Sequence, residues 1–428
     1  MKMKRSLSFL IATRSFLRKS HACSARCSCN MLKRCSSTAC RPTIPENTVL
    51  RHLRARIKAS GPITVADYMR EVLLNPVAGY YMHRDVFGKE GDFVTSPEIS
   101  QMFGELLTVW FLNEWQKIGC PRPLQIVELG PGRGSLMRDI LKVFQHFGSL
   151  EGVSGHLVEA SQHLSSLQAH TLCVNLVNPT KDELYYQSGR TSAGVPVYWY
   201  RHIQEVPHEF SFIYANEFFD ALPIHKLQKT DEGWKEVLVD IDPQAGEDQF
   251  RYVISRGPTP ASKFFIKPDE KRDHIEVSPQ SEVIMQHLAT RLEEDGGIAL
   301  VADYGHDGEK TDTFRAFRKH QLHNPLVEPG SADLTADVDF SRLRAVAEPQ
   351  LITFGPVNQG DFLERLGISV RLQVLLEKCD AHQKEALQGG YHMLIDKDKM
   401  GERFKMFAMF PAILKDHLTR FPVQGFSD

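Results

Sequence analysis

The chain has 428 residues, of which 42% are apolar and 24% charged, the balance of a globular protein with a sizeable core. No run of about 18 apolar residues occurs, so no membrane-spanning helix is expected. The formal net charge of −2 hides an asymmetry: residues 1–45 hold ten Lys or Arg and no acid, and the remainder carries 41 basic against 53 acidic side chains, a net −12, which gives no global electrostatic reason to bind nucleic acid.

Residues 1–45 are rich in Arg and Ser, and "SFLIATRSFLRK" (8–19) interleaves apolar and basic residues. That composition predicts a mitochondrial transit peptide, with a retained basic tail as the alternative. Five of the eight cysteines, Cys23, Cys27, Cys29, Cys35 and Cys40, lie in this segment at spacings that match no common zinc pattern. Cys120, Cys173 and Cys379 are scattered through the rest, which fits a reduced compartment. Residues 46–120 read as an N-terminal helical region. "TVLRHLRARIKAS" (48–60) is amphipathic and Gly61-Pro62 stops it; "TVADYMREVLLN" (64–75) repeats the pattern with Thr64 as N-cap and Asp67 three residues on. Ser96-Pro97-Glu98 reads as the start of one long helix through "EISQMFGELLTVWFLNEWQKIG" (98–119).

From residue 121 the pattern changes. "LQIVELG", "GHLVEA", "VPVYWY", "FSFIYANEFFDALP" and "GGIALVADYG" are short apolar runs. Helical patterns such as "SLMRDILKVFQHF" and "SEVIMQHLATRLEED" separate several of them. Strands alternating with helices predict an α/β fold with a Rossmann-like doubly wound sheet, and ligands outside the carboxyl ends of its strands. Two stretches interrupt the rhythm of this 121–428 domain. Residues 227–277 alternate like an inserted antiparallel β-ribbon. Residues 306–348 are polar, and "PGSADLTADVDF" (329–340) reads as a turn-rich surface loop. "RFKMFAMF" (403–410) is the expected last strand.

The chemistry concentrates in "VELGPGRG" (127–134), where Gly130, Gly132 and Gly134 follow a strand at alternate positions. Glycine permits tight turns and close approach of a ligand to backbone; a purely structural turn is the alternative. Glu128, two residues earlier, is placed to bond an amino group. Glu159 ends the next strand, where an acid holds ribose hydroxyls in doubly wound folds. Together "VELGPGRG" and "LVEA" resemble the signature of class I S-adenosylmethionine-dependent methyltransferases. That resemblance implies that the three glycines give close approach to S-adenosyl-L-methionine, that Glu159 grips the ribose and that Glu128 positions the amino-acid end.

"GDFVTSPEISQMFGE" (91–105), "VELGPGRG", "NEFFDALP" (216–223), "ADYG" (302–305) and "GPVNQGDFL" (355–363) occur in order over nearly the whole chain after the presequence. They resemble the mitochondrial and bacterial MidA family of methyltransferases, that of NADH:ubiquinone oxidoreductase complex assembly factor 7. The resemblance implies arginine methylation, with symmetric dimethylarginine as product, on a matrix-side subunit of respiratory complex I during its assembly. It also implies that Thr95 and Ser96 contact the cofactor, although helix capping alone accounts for Ser96.

An arginine acceptor stays protonated at ordinary pH. Carboxylates suit it because guanidinium favours bidentate bonds, and a proton must leave during transfer. "NEFFDALP" supplies Glu217 as clamp, Asp220 as helper or proton acceptor, and Asn216 to orient one of them; Phe218 and Phe219 wall the site. The bland alternative is that Glu217 and Asp220 cap a turn and the phenylalanines are core. Asp303 and Tyr304 are further candidates on the acceptor side. His306, His320 and His323 form no recognisable ligand set and no H-E-x-x-H or C-x-x-C occurs, so no metal is expected; no P-loop or G-x-S-x-G occurs either. Two other readings stay open: a nicotinamide-dependent oxidoreductase, against which the missing G-x-G-x-x-G spacing counts, and a non-catalytic assembly scaffold.

Overall fold

The computed structural model describes residues 48–83, 86, 95–177, 179–180, 182–246 and 248–426; the segment 1–45 expected to be a transit peptide, with its five cysteines, lies outside them. The core is a mixed sheet. Its strands in chain order are β1 (Leu124–Leu129), β2 (Val153–Val158), β3 (Asn175–Val177), β4 (Gln187–Arg190), β5 (Pro196–Tyr200), β6 (Ser211–Asn216), β7 (Gly297–His306), β8 (Leu351–Asn358) and β9 (Phe404–Pro411). The spatial order is β8-β9-β7-β6-β1-β2-β5-β4-β3, with the short strand Val338–Asp339 pairing beside β7. The five central strands β7, β6, β1, β2 and β5 run parallel. "RFKMFAMF" is the antiparallel β9, inserted between β7 and β8.

The central strands are buried almost throughout and mostly apolar because both faces are covered. Side chains alternate across a strand, and the two faces belong to different clusters. Leu124 and Ile126 of β1 and Phe212 and Tyr214 of β6 pack with the helices Gln101–Lys117 and Ser135–His146. Val127, Leu129, Ile213 and Ala215 pack with Met285, Leu288 and Leu292 of the helix Pro279–Asp295. The carboxyl ends of β1, β2 and β6 therefore converge on one edge, at Gly130, Glu159 and Glu217, with Asp303 of the longer β7 beside them.

A second sheet carries the expected ribbon. Gly233–Ile241 pairs with His225–Thr230 and Phe250–Ile254, and His274–Val277 adds to the outside. Ile63–Thr64 joins its edge. Thr64 caps the helix Val65–Leu74, its hydroxyl accepting from the Asp67 amide at 3.0 Å. This helix and Thr48–Ser60 bury Leu53, Tyr68 and Val72 against Val239 and Phe250 of the ribbon and against Leu334.

Two expectations change. The helix from Ser96 is interrupted: Ser96–Ile99 is one turn, Ser100 is extended, and the Ser100 hydroxyl caps a new helix, Gln101–Lys117. The 306–348 stretch is not surface loop alone. Arg315–Arg318, Gln321–His323 and Asp333–Thr335 form a three-stranded sheet, and residues 332–336 are all buried. The polar residues that suggested exposure, Asp333 and Thr335, are paired inside the protein.

Candidate active site

A cleft of about 2200 Å³ runs along the carboxyl edge of the sheet. The turn after β1 forms its floor. Gly130, Gly132 and Gly134 have φ of +62°, +54° and +77°, where a Cβ is strained. Gly130 has a second reason to be glycine: a Cβ there would stand 2.9 Å from Cδ2 of Phe218. Gly130 and Gly132 line the cleft. Gly134 sits behind them as the N-cap of the helix Ser135–His146. Arg133 lies 3.7 Å from Glu98 of the turn Ser96–Ile99.

Glu128 and Glu159 both line the cleft. Burial pushes Glu128 up to about 8, against a Met137 amide that pulls it down and Asp139 that adds to the rise. Its Oε2 is buried and has no hydrogen-bond partner among the described residues. A cationic amino group there would supply the missing donor. Glu159 is raised to about 7 by burial, while its hydrogen bonds favour the charged form. Its oxygens accept from the Ser161 amide at 2.7 Å and from Gln168 Nε2 at 2.9 Å.

Gln168 is a residue that the motifs do not reveal. Its Nε2 also donates to the Gly132 carbonyl at 2.8 Å, and its Oε1 accepts from Trp199 Nε1 at 2.9 Å. One side chain thus ties the glycine turn to the acid of the next strand. The signal was its place at i+4 between Leu164 and Leu172, a polar residue in the buried stripe of a helix.

The second half of the cleft begins where β6 ends. Asn216 donates through Nδ2 to Glu217 Oε1 at 3.1 Å, and the Ser96 amide donates to the same oxygen at 3.0 Å. Ser96 is fully buried, so it meets Glu217 through its backbone, while Thr95 lines the cleft. Burial, first of all, pushes Glu217 up to about 8, and Asp220 and Asp333 add to the rise. Burial likewise raises Asp220 to about 6. Asp220 Oδ2 accepts from Thr335 Oγ1 at 2.8 Å, and Oδ1 is buried without a partner among the described residues.

Asp303 holds this turn. It is fully buried within β7, three residues before its end. Its Oδ2 accepts from the amides of Phe218 at 3.1 Å, Phe219 at 2.9 Å and Asp220 at 3.4 Å, and its Oδ1 from the Tyr304 amide at 2.9 Å. Glu217 is thereby kept at φ +51°, an uncommon conformation for a residue with a side chain. Asp303 therefore binds backbone behind the cleft rather than lining it, whereas Tyr304, Phe218, Asp333 and Thr335 do line it. Phe219 is core.

The residues fit a sulfonium nucleoside: a tight glycine turn, a buried carboxyl oxygen without a partner among the described residues for an amino group, and a strand-end acid for a diol. The comparisons agree. A family described as "Putative S-adenosyl-L-methionine-dependent methyltransferase" matches residues 106–357. The Mus musculus protein arginine methyltransferase NDUFAF7, mitochondrial, is 54% identical over 369 residues, covering 85% of this chain and 84% of that protein. The Drosophila melanogaster homolog of NDUFAF7 is 52% identical over 387 residues, 89% of each.

The chain belongs to the NDUFAF7 methyltransferase family.

A Burkholderia thailandensis protein solved with S-adenosyl-homocysteine bound matches with a TM-score of 0.69 at 25% identity, over 85% of this chain and 91% of that one. The cofactor of this NDUFAF7 family member is S-adenosyl-L-methionine, and its fold is the class I methyltransferase fold expected from the motifs.

Proposed function

We propose that the protein is a protein arginine methyltransferase of the mitochondrial matrix that forms symmetric dimethylarginine (type II) on a matrix-side subunit of respiratory complex I and serves assembly of that complex. One observation carries this reading. Glu217 and Asp220 stand buried in the same cleft as the glycine turn, in a chain about half identical to enzymes named mitochondrial protein arginine methyltransferases. The compartment, the complex I subunit and the symmetric product come from the family resemblance.

Gly130, Gly132, Glu128 and Glu159 hold the cofactor on this reading, with Gly134 capping the helix beneath and Thr95 closing from above. The bound cofactor supplies an electrophilic methyl group on a sulfonium. Ser96 acts through Glu217, its amide fixing one carboxylate oxygen. Glu217 clamps the guanidinium plane, Asn216 orients Glu217, and Asp220 accepts the proton that leaves the attacking nitrogen. Near neutral pH Glu217, at about 8, holds a proton in the empty protein; a guanidinium entering the pocket favours its carboxylate. In this division the 121–428 domain does the chemistry, the 46–120 region and the 306–348 insertion contribute to the cleft wall, and the 227–277 insertion packs behind them. The partner is a protein substrate; nucleic acid has no part in it, and no helix among the described residues is long and apolar enough to cross a membrane.

The test is a transfer assay. The protein without residues 1–45 is mixed with methyl-labelled S-adenosylmethionine and extract of mitochondria lacking it, and mass spectrometry locates the label. We expect label on an arginine of a complex I subunit, reduced at least about 100-fold by Glu217→Gln. Label on another residue type, or an undiminished rate in the variant, would sink the reading or the clamp respectively.

A further inference from the structure

The acceptor half of the cleft is built from two segments distant in sequence. One is the turn after β6. The other is the strand Asp333–Thr335 of the 306–348 insertion. Side chains two apart on a strand share a face. Asp333 and Thr335 accordingly both line the cleft, while Leu334 between them is buried among apolar residues. Thr335 Oγ1 bonds Asp220 Oδ2 at 2.8 Å, and the Ala336 amide donates to the Asp220 carbonyl at 3.1 Å. Asp333 Oδ1 accepts from the Tyr81 hydroxyl at 2.6 Å.

The pocket still lacks a donor. Asp220 is 7% exposed and lines the cleft, and its Oδ1 has no partner among the described residues. A buried oxygen left unpaired is costly, so the site is complete only with a ligand that donates. Among the described residues, no three His, Cys, Asp or Glu side chains converge as metal ligands. Separate carboxylates around one cavity suit a planar cation with donors on several edges. Guanidinium is that cation; an ammonium is a compact, strongly hydrated point charge.

We propose that Asp333 is a specificity-determining residue: it bonds one edge of the substrate guanidinium while Glu217 and Asp220 bond the others, so the cleft takes arginine and rejects lysine. This rests on arginine being the acceptor. Tyr81 is the positioning residue for Asp333. Its carbonyl accepts from Ser161 Oγ at 2.8 Å, and the Ser161 amide bonds Glu159, so the same tyrosine joins the acceptor carboxylate to the loop of the cofactor acid.

The test is binding of N-acetyl-arginine amide and N-acetyl-lysine amide to the protein saturated with S-adenosylhomocysteine, followed by NMR titration. The wild type should prefer the arginine probe by about ten-fold or more. Asp333→Asn should lose most of that preference and bind S-adenosylhomocysteine normally. Tyr81→Phe should weaken the arginine probe several-fold and leave the lysine probe unchanged. An Asp333→Asn protein with wild-type preference overturns the proposal and leaves the arginine reading standing. A wild type without any arginine preference overturns the arginine reading, and the proposal falls with it. Should Asp333→Asn lose S-adenosylhomocysteine binding, and with it its fold, Tyr81→Phe decides: undiminished arginine preference there also overturns the proposal.

Discussion

Three carboxylic acids in the cleft, Glu128, Glu159 and Glu217, are lifted by burial to about 8, 7 and 8. Raised carboxylates concentrate where function requires charge in a dry site. The rise has a consequence for stability. Between the ordinary carboxylate range and pH 8 the folded protein holds a proton on Glu217 that the unfolded chain has lost. Stability from this group therefore falls as pH rises through that window. Glu217→Gln removes the slope: at pH 8 the variant should melt a few degrees above the wild type, and at pH 5 the two should nearly coincide. Thermal melts across pH 5–8 measure this, and equal slopes would contradict a Glu217 carboxyl raised by burial. Saturating cofactor isolates the effect from Glu128 and Glu159. Not every candidate residue could be assigned its part from sequence. Ser96 was legible as a helix start, but what it gives the cleft is an amide aimed at Glu217, and no side-chain pattern encodes an amide's direction.

The decisive element is the turn after β6. "NEFFDALP" is legible as a strand end with two acids; what holds it open is not. The clamp is Asp303, 83 to 85 residues farther along the chain, receiving three consecutive amides. The bland expectation that Glu217 and Asp220 cap this turn misplaces the cap by one strand, and the parallel pairing of β6 with β7 explains why. Asn216 lies opposite Ala302 in the register, so the next residue of β7 reaches under the turn. Asp303→Ala leaves those amides buried and unpaired, at roughly 1–3 kcal/mol for each. We expect a loss of several kcal/mol in chemical denaturation and methyl transfer reduced below detection. A variant of wild-type stability would show that the amides find water instead.

At the scale of the whole molecule, the N-terminal helices, the ribbon and the 314–336 stretch share one apolar cluster, in which Tyr68, Val72, Val239, Phe250, Ala316 and Leu334 meet. The acceptor wall is therefore not an appendage. Removing residues 48–74 takes Ile63–Thr64 off the ribbon edge and strips Leu334 of its cover. Large apolar deletions of this kind cost far more than a domain's net stability. The truncated protein should lose cooperative unfolding and expose apolar surface to a dye such as ANS, while the full chain binds little. A truncated protein with a sharp transition and normal cofactor affinity would establish the sheet as an independent unit.

Local patterns were enough for the sheet and its glycine turn, because strands covered on both faces are mostly apolar and a left-handed turn favours glycine. Period and turn chemistry are local, and a single sequence displays them. The same locality placed Glu128, Glu159, Glu217 and Asp220 at strand ends. Tertiary structure alone decided what those acids touch: Gln168 bridging Glu159 to Gly132, Asp303 under the turn, and Thr335 and Asp333 beside Asp220. Gln168 stood in an ordinary helix pattern, Asp333 and Thr335 in what reads as surface loop, and Asp303 near a strand end whose partner is set only by the sheet. A polar side chain is buried only where a partner from elsewhere in the chain satisfies it, and that partner is known only once the chain has folded.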